Sequence, residues 1–243
     1  MTTEPADLAS AAPRRRTRTS IQAVLTDDAS LRSWTAVAND GIIATAGILE
    51  GFAGAGATDR ALLIAATVAT IAGMLAAGGA KWAEIDAERE AQIHAAADEA
   101  ASLAARPEAE LDELIAYYEA KGLTPELARE VAEQLSDHNA LAAQLESEHG
   151  ILEVITRTRA IVGGVGASVA YLIGASIPLL ITIFAPVAIE AWAIVAAVTV
   201  SLIVTSVVGA RTGQMHVGRT VARTLAVGLG TLAISYALGQ LIF

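Results

Sequence analysis

The sequence predicts an all-α membrane protein: five transmembrane helices, with a cytosolic three-helix insertion between spans two and three. Three observations carry this. First, 54% of the 243 residues are hydrophobic and the mean hydropathy is +0.51, too apolar for an ordinary water-soluble domain. Second, the apolar residues gather into uncharged runs: Ala61–Ala80, Ala160–Ile189, Ala191–Ala210 and Thr224–Phe243. A helix needs about 20 apolar residues to cross a bilayer core, so each run is long enough to span. Third, 17 of the 26 acidic residues fall between residues 81 and 150, in a segment with only 5 basic ones.

In chain order, residues 1–33 are polar and carry Arg14, Arg15, Arg16 and Arg18. They read as a disordered basic tail, with no apolar run placed as a cleavable signal would need. Residues 34–80 hold spans one and two. Span one, from about Thr35 to Gly56, differs from the others in carrying Asn39, Asp40 and Glu50. Residues 81–150 are the insertion. Lys81–Ala105 continues from span two without Pro or Gly until Pro107 stops it. Glu108–Lys121 is a second helix, with Leu111, Leu114, Ile115 and Tyr118 on one side and Gly122 at its end. The third starts at Thr124-Pro125, an N-cap followed by a first-turn proline, and runs to His149 before Gly150. Its expected buried side is Leu127, Val131, Leu135, Leu141 and Leu145. Residues 151–243 supply spans three to five, with Pro178 placed to kink or end span three.

Orientation follows from the cations. With the N-terminus in the cytosol, fifteen of the sixteen Lys and Arg residues lie inside and only Arg60 lies outside. That positive-inside bias puts residues 81–150 in the cytosol and the C-terminus outside, and the Ala-rich composition and short loops point to a multi-pass protein of the cell (inner) membrane. The chain has no cysteine, which excludes disulfides and thiolate metal sites. Motifs of phosphate-binding loops, zinc proteases, serine hydrolases and dinucleotide-binding folds are absent, so no enzyme is predicted. Net charge is −10 and no basic face carries interleaved aromatics, which argues against nucleic acid.

The chemistry rests with carboxylates. An ionisable group inside a span costs roughly 2.5–3.5 kcal/mol on insertion scales, so Asp40 and Glu50 call for a function or a partner. Ten residues separate them by about 15 Å along a helix and rotate one from the other by about 280°. Asp40 reads as an ion ligand, a helix N-cap or the partner of Lys81. Glu50 reads as a second station for an ion or proton, or as a protonated hydrogen-bond donor to Thr67 or Thr70. In the insertion, Glu126, Glu130, Glu133, Asp137, Gln144 and Glu148 fall within about 60° of one another on an ideal helix. Glu84, Glu88, Asp98 and Glu99 share a sector on the first helix. Two such faces suit a hard or borderline divalent cation, or simply water. Cations are favoured because 17 acids with 5 bases leave the self-repulsion standing. Of the four histidines, His94 has Glu90 and Asp98 at i,i+4 spacing, and His138, His149 and His216 show no obvious partner. Gly47, Gly51 and Ala55 form a small-residue strip suited to close helix contact, a candidate dimer seam.

Several of these motifs occur together and in order: NDG heading span one, TAG followed by GFAGAG within it, and an Ala-Gly patch closing span two. PEAELDEL and YEAKGL follow in the insertion, and GASIPLL in span three. Over about residues 34–243 this resembles the vacuolar iron transporter family in its bacterial form. The resemblance implies a homodimer in the lipid bilayer, with an ion path between protomers. It further implies export of ferrous iron or manganese from the cytosol by proton antiport, with no resident cofactor. By the same resemblance Asp40 is a path ligand and Met74 the thioether of span two. Glu88, Glu99, Glu130, Glu133 and Glu148 match ligand positions of the cytosolic domain, with Glu84 one turn after Lys81, which stands where the family often has Glu. Gln144 stands where the family can supply Met. A membrane-anchored divalent-metal buffer or sensor, without transport, is the alternative.

Overall fold

The computed structural model describes residues 28–185 and 189–242. Among them are seven α-helices and no strand: α1 (Asp28–Gly54), α2 (Asp59–Ala105), α3 (Pro107–Ala120), α4 (Pro125–His149), α5 (Arg157–Phe184), α6 (Glu190–Thr212) and α7 (Val217–Ile242). Most of the expected basic tail lies outside the described residues. Its last six positions, 28–33, already belong to α1. The described residues form two compact units, residues 84–160 and residues 28–83 with 161–242, the division falling within α2.

In the second unit, four helices are long and apolar enough to cross a membrane: α2, α5, α6 and α7. The expected first span, α1, falls short of that hydropathy because of Asn39, Asp40 and Glu50. Its environment explains why it tolerates them. Ile42, Thr45, Ala46 and Leu49 are all 1% exposed or less, and the core they form takes in Leu62, Ile194, Val198, Leu202 and Leu232. Thus α1 is walled in by other helices, whereas α2 leaves Ile64, Val68, Ile71 and Leu75 more than half exposed. A helix surrounded by protein need not be apolar on every face; one that meets lipid must be.

Close backbone approach sets the packing of α1. A Cβ on Gly41 would collide with the Tyr171 carbonyl of α5, and one on Gly174 with the Ala38 carbonyl of α1. On the other side Gly239 of α7 sits against the Gly51 carbonyl, and Gly47 faces Ser235. The strip expected as a dimer seam packs against α7 of the same chain and also lines a cavity of about 540 Å³ with Ser235, Leu238 and Gly239. Apolar transfer gives little drive where lipid is the alternative, so such contact by small residues holds the helices together. Pro178 is fully buried and does not end α5, which continues to Phe184 with Thr182 Oγ1 donating to the Pro178 carbonyl at 3.2 Å.

The other unit comprises the second half of α2 with α3 and α4. Leu114 and Ile115 are buried against Ala128, Ala132 and Ala143, with Leu111 and Tyr118 alongside. The apolar side expected for α3 is the buried one. That of α4 is corrected in part: Leu145 is buried as expected, but Leu127 is 48% exposed and Leu135 36%, while alanines make the contact and let α4 approach α3 closely. Thr124 caps α4 by accepting from Leu127 N at 3.4 Å, and Gly150 ends it at φ 65°. The helix is not continuous. Asn139 has φ −165° and ψ 89°, and its Oδ1 accepts from Ala142 N at 3.0 Å, recapping the second half. Beyond α4, Ile155 N donates to Gln92 Oε1 at 2.8 Å and ties the connection to α2.

Candidate functional site

Five side chains of types that can ligate a metal converge where α2, α3 and α4 meet. Glu99 comes from α2, Glu110 and Glu113 from the start of α3, and Glu148 and His149 from the end of α4. Ligand atoms of Glu99, Glu148 and His149 lie within 4.8 Å of one another, as do those of Glu110, Glu113 and Glu148, so Glu148 belongs to both groups. Pro107 starts α3 without an N–H to satisfy, and the i,i+3 spacing puts Glu110 and Glu113 on one side of it.

The electrostatics are those of crowded acids. Glu99 is 5% exposed and its Oε1 has no hydrogen-bond partner. Burial, followed by the charges of Glu148, Glu110 and Glu113, pushes its carboxyl up to about 7. Glu148 is also raised, by desolvation and then by Glu113 and Glu110, with His149 pulling the other way. Glu110 is 2% exposed and its ion pair to Arg106 at 3.2 Å reaches from a largely exposed guanidinium. Four carboxylates and an imidazole with so little opposing charge form a donor set for a borderline divalent cation.

Gln144, expected where a thioether would serve as ligand, does something else. Buried at 2% exposure, it donates through Nε2 to the Glu110 carbonyl, and its Oε1 accepts from Ser147 Oγ at 3.2 Å. It fixes the end of α4 against the start of α3, so Glu148 reaches Glu110 and Glu113.

Of the expected insertion ligands, Glu99 and Glu148 are brought together. Glu84, Glu88, Glu130 and Glu133 lie outside both groups. Glu88 accepts from Gln92 at 3.4 Å, Glu130 from Gln134 at 3.3 Å, and Glu133 meets Arg129 at 3.8 Å. The break at Asn139 is the reason for α4, since it shifts the register on which the ideal-helix sector depended. Glu110, Glu113 and His149 were not singled out. Their signal was a pair of acids three apart beside a proline, together with a histidine next to Glu148.

In the other unit, Asp40 is exposed and lines a cavity of about 290 Å³ between α1, α6 and α7, with Asn39, Ser206, Met215, Thr220 and Arg223 among its walls. Asn39 Oδ1 is engaged by Thr205 Oγ1. Ser206 is 2% exposed and its hydroxyl has no partner. The thioether in this cavity is Met215, from the α6–α7 turn. Met74, expected opposite Asp40, is half-buried on α2, and its carbonyl accepts from Ser168 Oγ at 3.1 Å. Glu50 is buried lower on α1 and lines a separate cavity.

A model of the VIT family matches residues 31–240, from the second turn of α1 almost to the end of α7. A vacuolar iron transporter of Acanthamoeba castellanii is 30% identical over 135 residues, 56% of this chain and 48% of that protein. The match thus spans about half of that relative's length. The family match covers both the carboxylate cluster and all the apolar helices: the chain belongs to the VIT family.

Proposed function

We propose that the protein exports ferrous iron or manganese from the cytosol in exchange for protons. Family membership and the iron-transporting relative support metal transport. The observation that carries the reading is the convergence of Glu99, Glu110, Glu113, Glu148 and His149 from three helices. In this reading α1 also spans, making five spans in all, the insertion is cytosolic, and a homodimer in the inner membrane frames the path. The cluster gathers metal, which displaces the proton held by Glu99 near neutral pH. Asp40, with Met74 or Met215 supplying sulfur, strips part of the ion's water at the mouth of the bundle, and Glu50 takes it further along α1. The alternative is a metal buffer or sensor, in which the cluster binds and nothing crosses.

Calorimetry of the full chain in detergent, with manganese at pH 7.5, tests the cluster. Replacing Glu113 and Glu148 together with Gln should weaken binding by more than the roughly 10–100-fold typical of second-shell changes. Unchanged titration curves would remove the metal role of the insertion.

A further inference from the structure

Two cavities adjoin along α1. The one that holds Asp40, about 290 Å³ between α1, α6 and α7, is also lined by two guanidiniums, Arg32 and Arg223. Among the described residues neither arginine forms an ion pair, and Arg32 reaches only the Thr212 carbonyl, at 3.5 Å. Thr220 and Thr224 add hydroxyls to the lining, and so does Ser206, 2% exposed with an Oγ that has no hydrogen-bond partner. The second cavity, about 620 Å³, runs between α1 and α5 and is walled by apolar side chains such as Trp34, Val165 and Ile173. Thr35 and Thr205 line both, so the polar pocket lies directly beside the apolar groove.

Charge and shape together specify an occupant. Two guanidiniums against one carboxylate leave the pocket with one positive charge, which a monoanionic phosphodiester cancels. At about 30 Å³ each, about ten water-sized groups fit in 290 Å³, room for a phosphate ester and a small alcohol. The unpartnered Ser206 hydroxyl is a buried donor that a phosphate oxygen satisfies. The groove calls for an apolar chain. On α5, Ile161, Val165, Val169 and Ile173 recur every fourth residue as one stripe and are 49–60% exposed. A free phosphate fills only the pocket and an apolar partner only the groove; a phospholipid fills both.

We propose that the Asp40 pocket and the α1–α5 groove hold one anionic phospholipid. Its phosphodiester rests on Arg32 and Arg223, with Ser206, Thr220 and Thr224 donating, and an acyl chain lies along α5. In the orientation expected from the cations, the pocket faces the cytosolic leaflet, where the surface is anionic and basic pockets between spans take such headgroups. The site goes beyond the transport reading and does not depend on it. In that reading, the lipid also cancels the guanidinium charge that a metal ion would meet on its way to Asp40.

Native mass spectrometry tests this on the full-length protein in detergent, offered phosphatidylglycerol or phosphatidylcholine with the same acyl chains. One phosphatidylglycerol per chain should be retained, and phosphatidylcholine held less well. Arg32→Gln and Arg223→Gln should each weaken retention about fivefold or more. Arg219→Gln, exposed on α7 and outside both cavities, should not. Val165→Trp should expel the lipid by filling the groove; because Val165 is 59% exposed, the larger ring displaces none of the core. Equal retention of the two lipids, or unchanged retention in both arginine variants, would overturn the proposal. So would displacement of the lipid by inorganic phosphate, which assigns the pocket to a free anion. Val165→Trp converting dimer to monomer with the lipid still bound would assign the groove to a second copy and overturn it as well. If wild type retains the lipid but moves no metal in vesicles, the site stands and the transport reading fails.

Discussion

Glu99 and Glu50 are both buried acids with an oxygen that nothing among the described residues satisfies, but their surroundings differ. Glu99 sits among Glu110, Glu113 and Glu148 on a unit whose core is a few leucines and alanines. Glu50 sits in a bundle of apolar helices, with Glu190 as its acidic neighbour. In the insertion desolvation is joined by repulsion from three further acids, and a cation shared by several ligands relieves both. In the bundle the cost is desolvation, and α1 can bear it only because neighbouring helices shield it from lipid. In the function proposed above, the first collects an ion and the second passes it through a medium that rejects charge.

The bundle half of that contrast breaks most easily at Gly174. A leucine there must displace the α1 backbone at Ala38, so Gly174→Leu should lose at least the roughly 1–3 kcal/mol of ordinary overpacking. Thermal unfolding in detergent reads this, and manganese binding by the insertion should survive. Gly79→Ala is the control, since a Cβ there meets nothing within 4 Å.

In the insertion, Gln144→Leu removes the amide that joins α4 to α3 and leaves the buried Glu110 carbonyl without it. The expected loss is about 1–3 kcal/mol, with faster amide exchange at the end of α4 and weaker metal binding.

Glu99 provides a pH test. Its folded value of about 7 lies above the ordinary 4.5, so the unfolded chain gives up this proton first. Metal-free stability should be unaffected by Glu99 below pH 4.5, fall as pH rises to about 7, and stay low above it. At pH 8 the Glu99→Gln variant should be more stable than wild type without metal, by roughly 1–3 kcal/mol. Metal competes with that proton, so wild-type affinity should climb with pH up to the same point. A pH-independent affinity would contradict it.

The smallest effect is expected at Thr124. Its replacement by Ala removes the cap on Leu127 N and should cost about 1 kcal/mol, without changing metal affinity, because the ligands of α4 lie beyond the break at Asn139.

Much of the fold was legible because apolar runs and Pro or Gly stops act locally. Pro107, Gly122, Thr124-Pro125 and Gly150 mark the helix ends they were expected to mark. The site was half legible. Glu99 and Glu148 could be reached from helical periodicity, but the same periodicity carried across Asn139 placed Glu130 and Glu133 with them. A break stabilised by one side-chain hydrogen bond leaves no trace in the spacing of acids. Glu110 and Glu113 needed the packing of α3 on α4, set by alanines that carry no obvious pattern in an alanine-rich chain. Met215 joins Asp40 only through the α6–α7 turn, a contact that no local rule predicts.

The most direct measurement is manganese and ferrous iron flux into proteoliposomes carrying a metal-quenched dye, with and without a pH gradient, for wild type and Asp40→Asn. Export by proton antiport predicts uptake that rises with the gradient and collapses in the variant. Tight metal binding by the full chain with no gradient-dependent flux would contradict it, and would leave a protein that holds metal at the membrane without moving it.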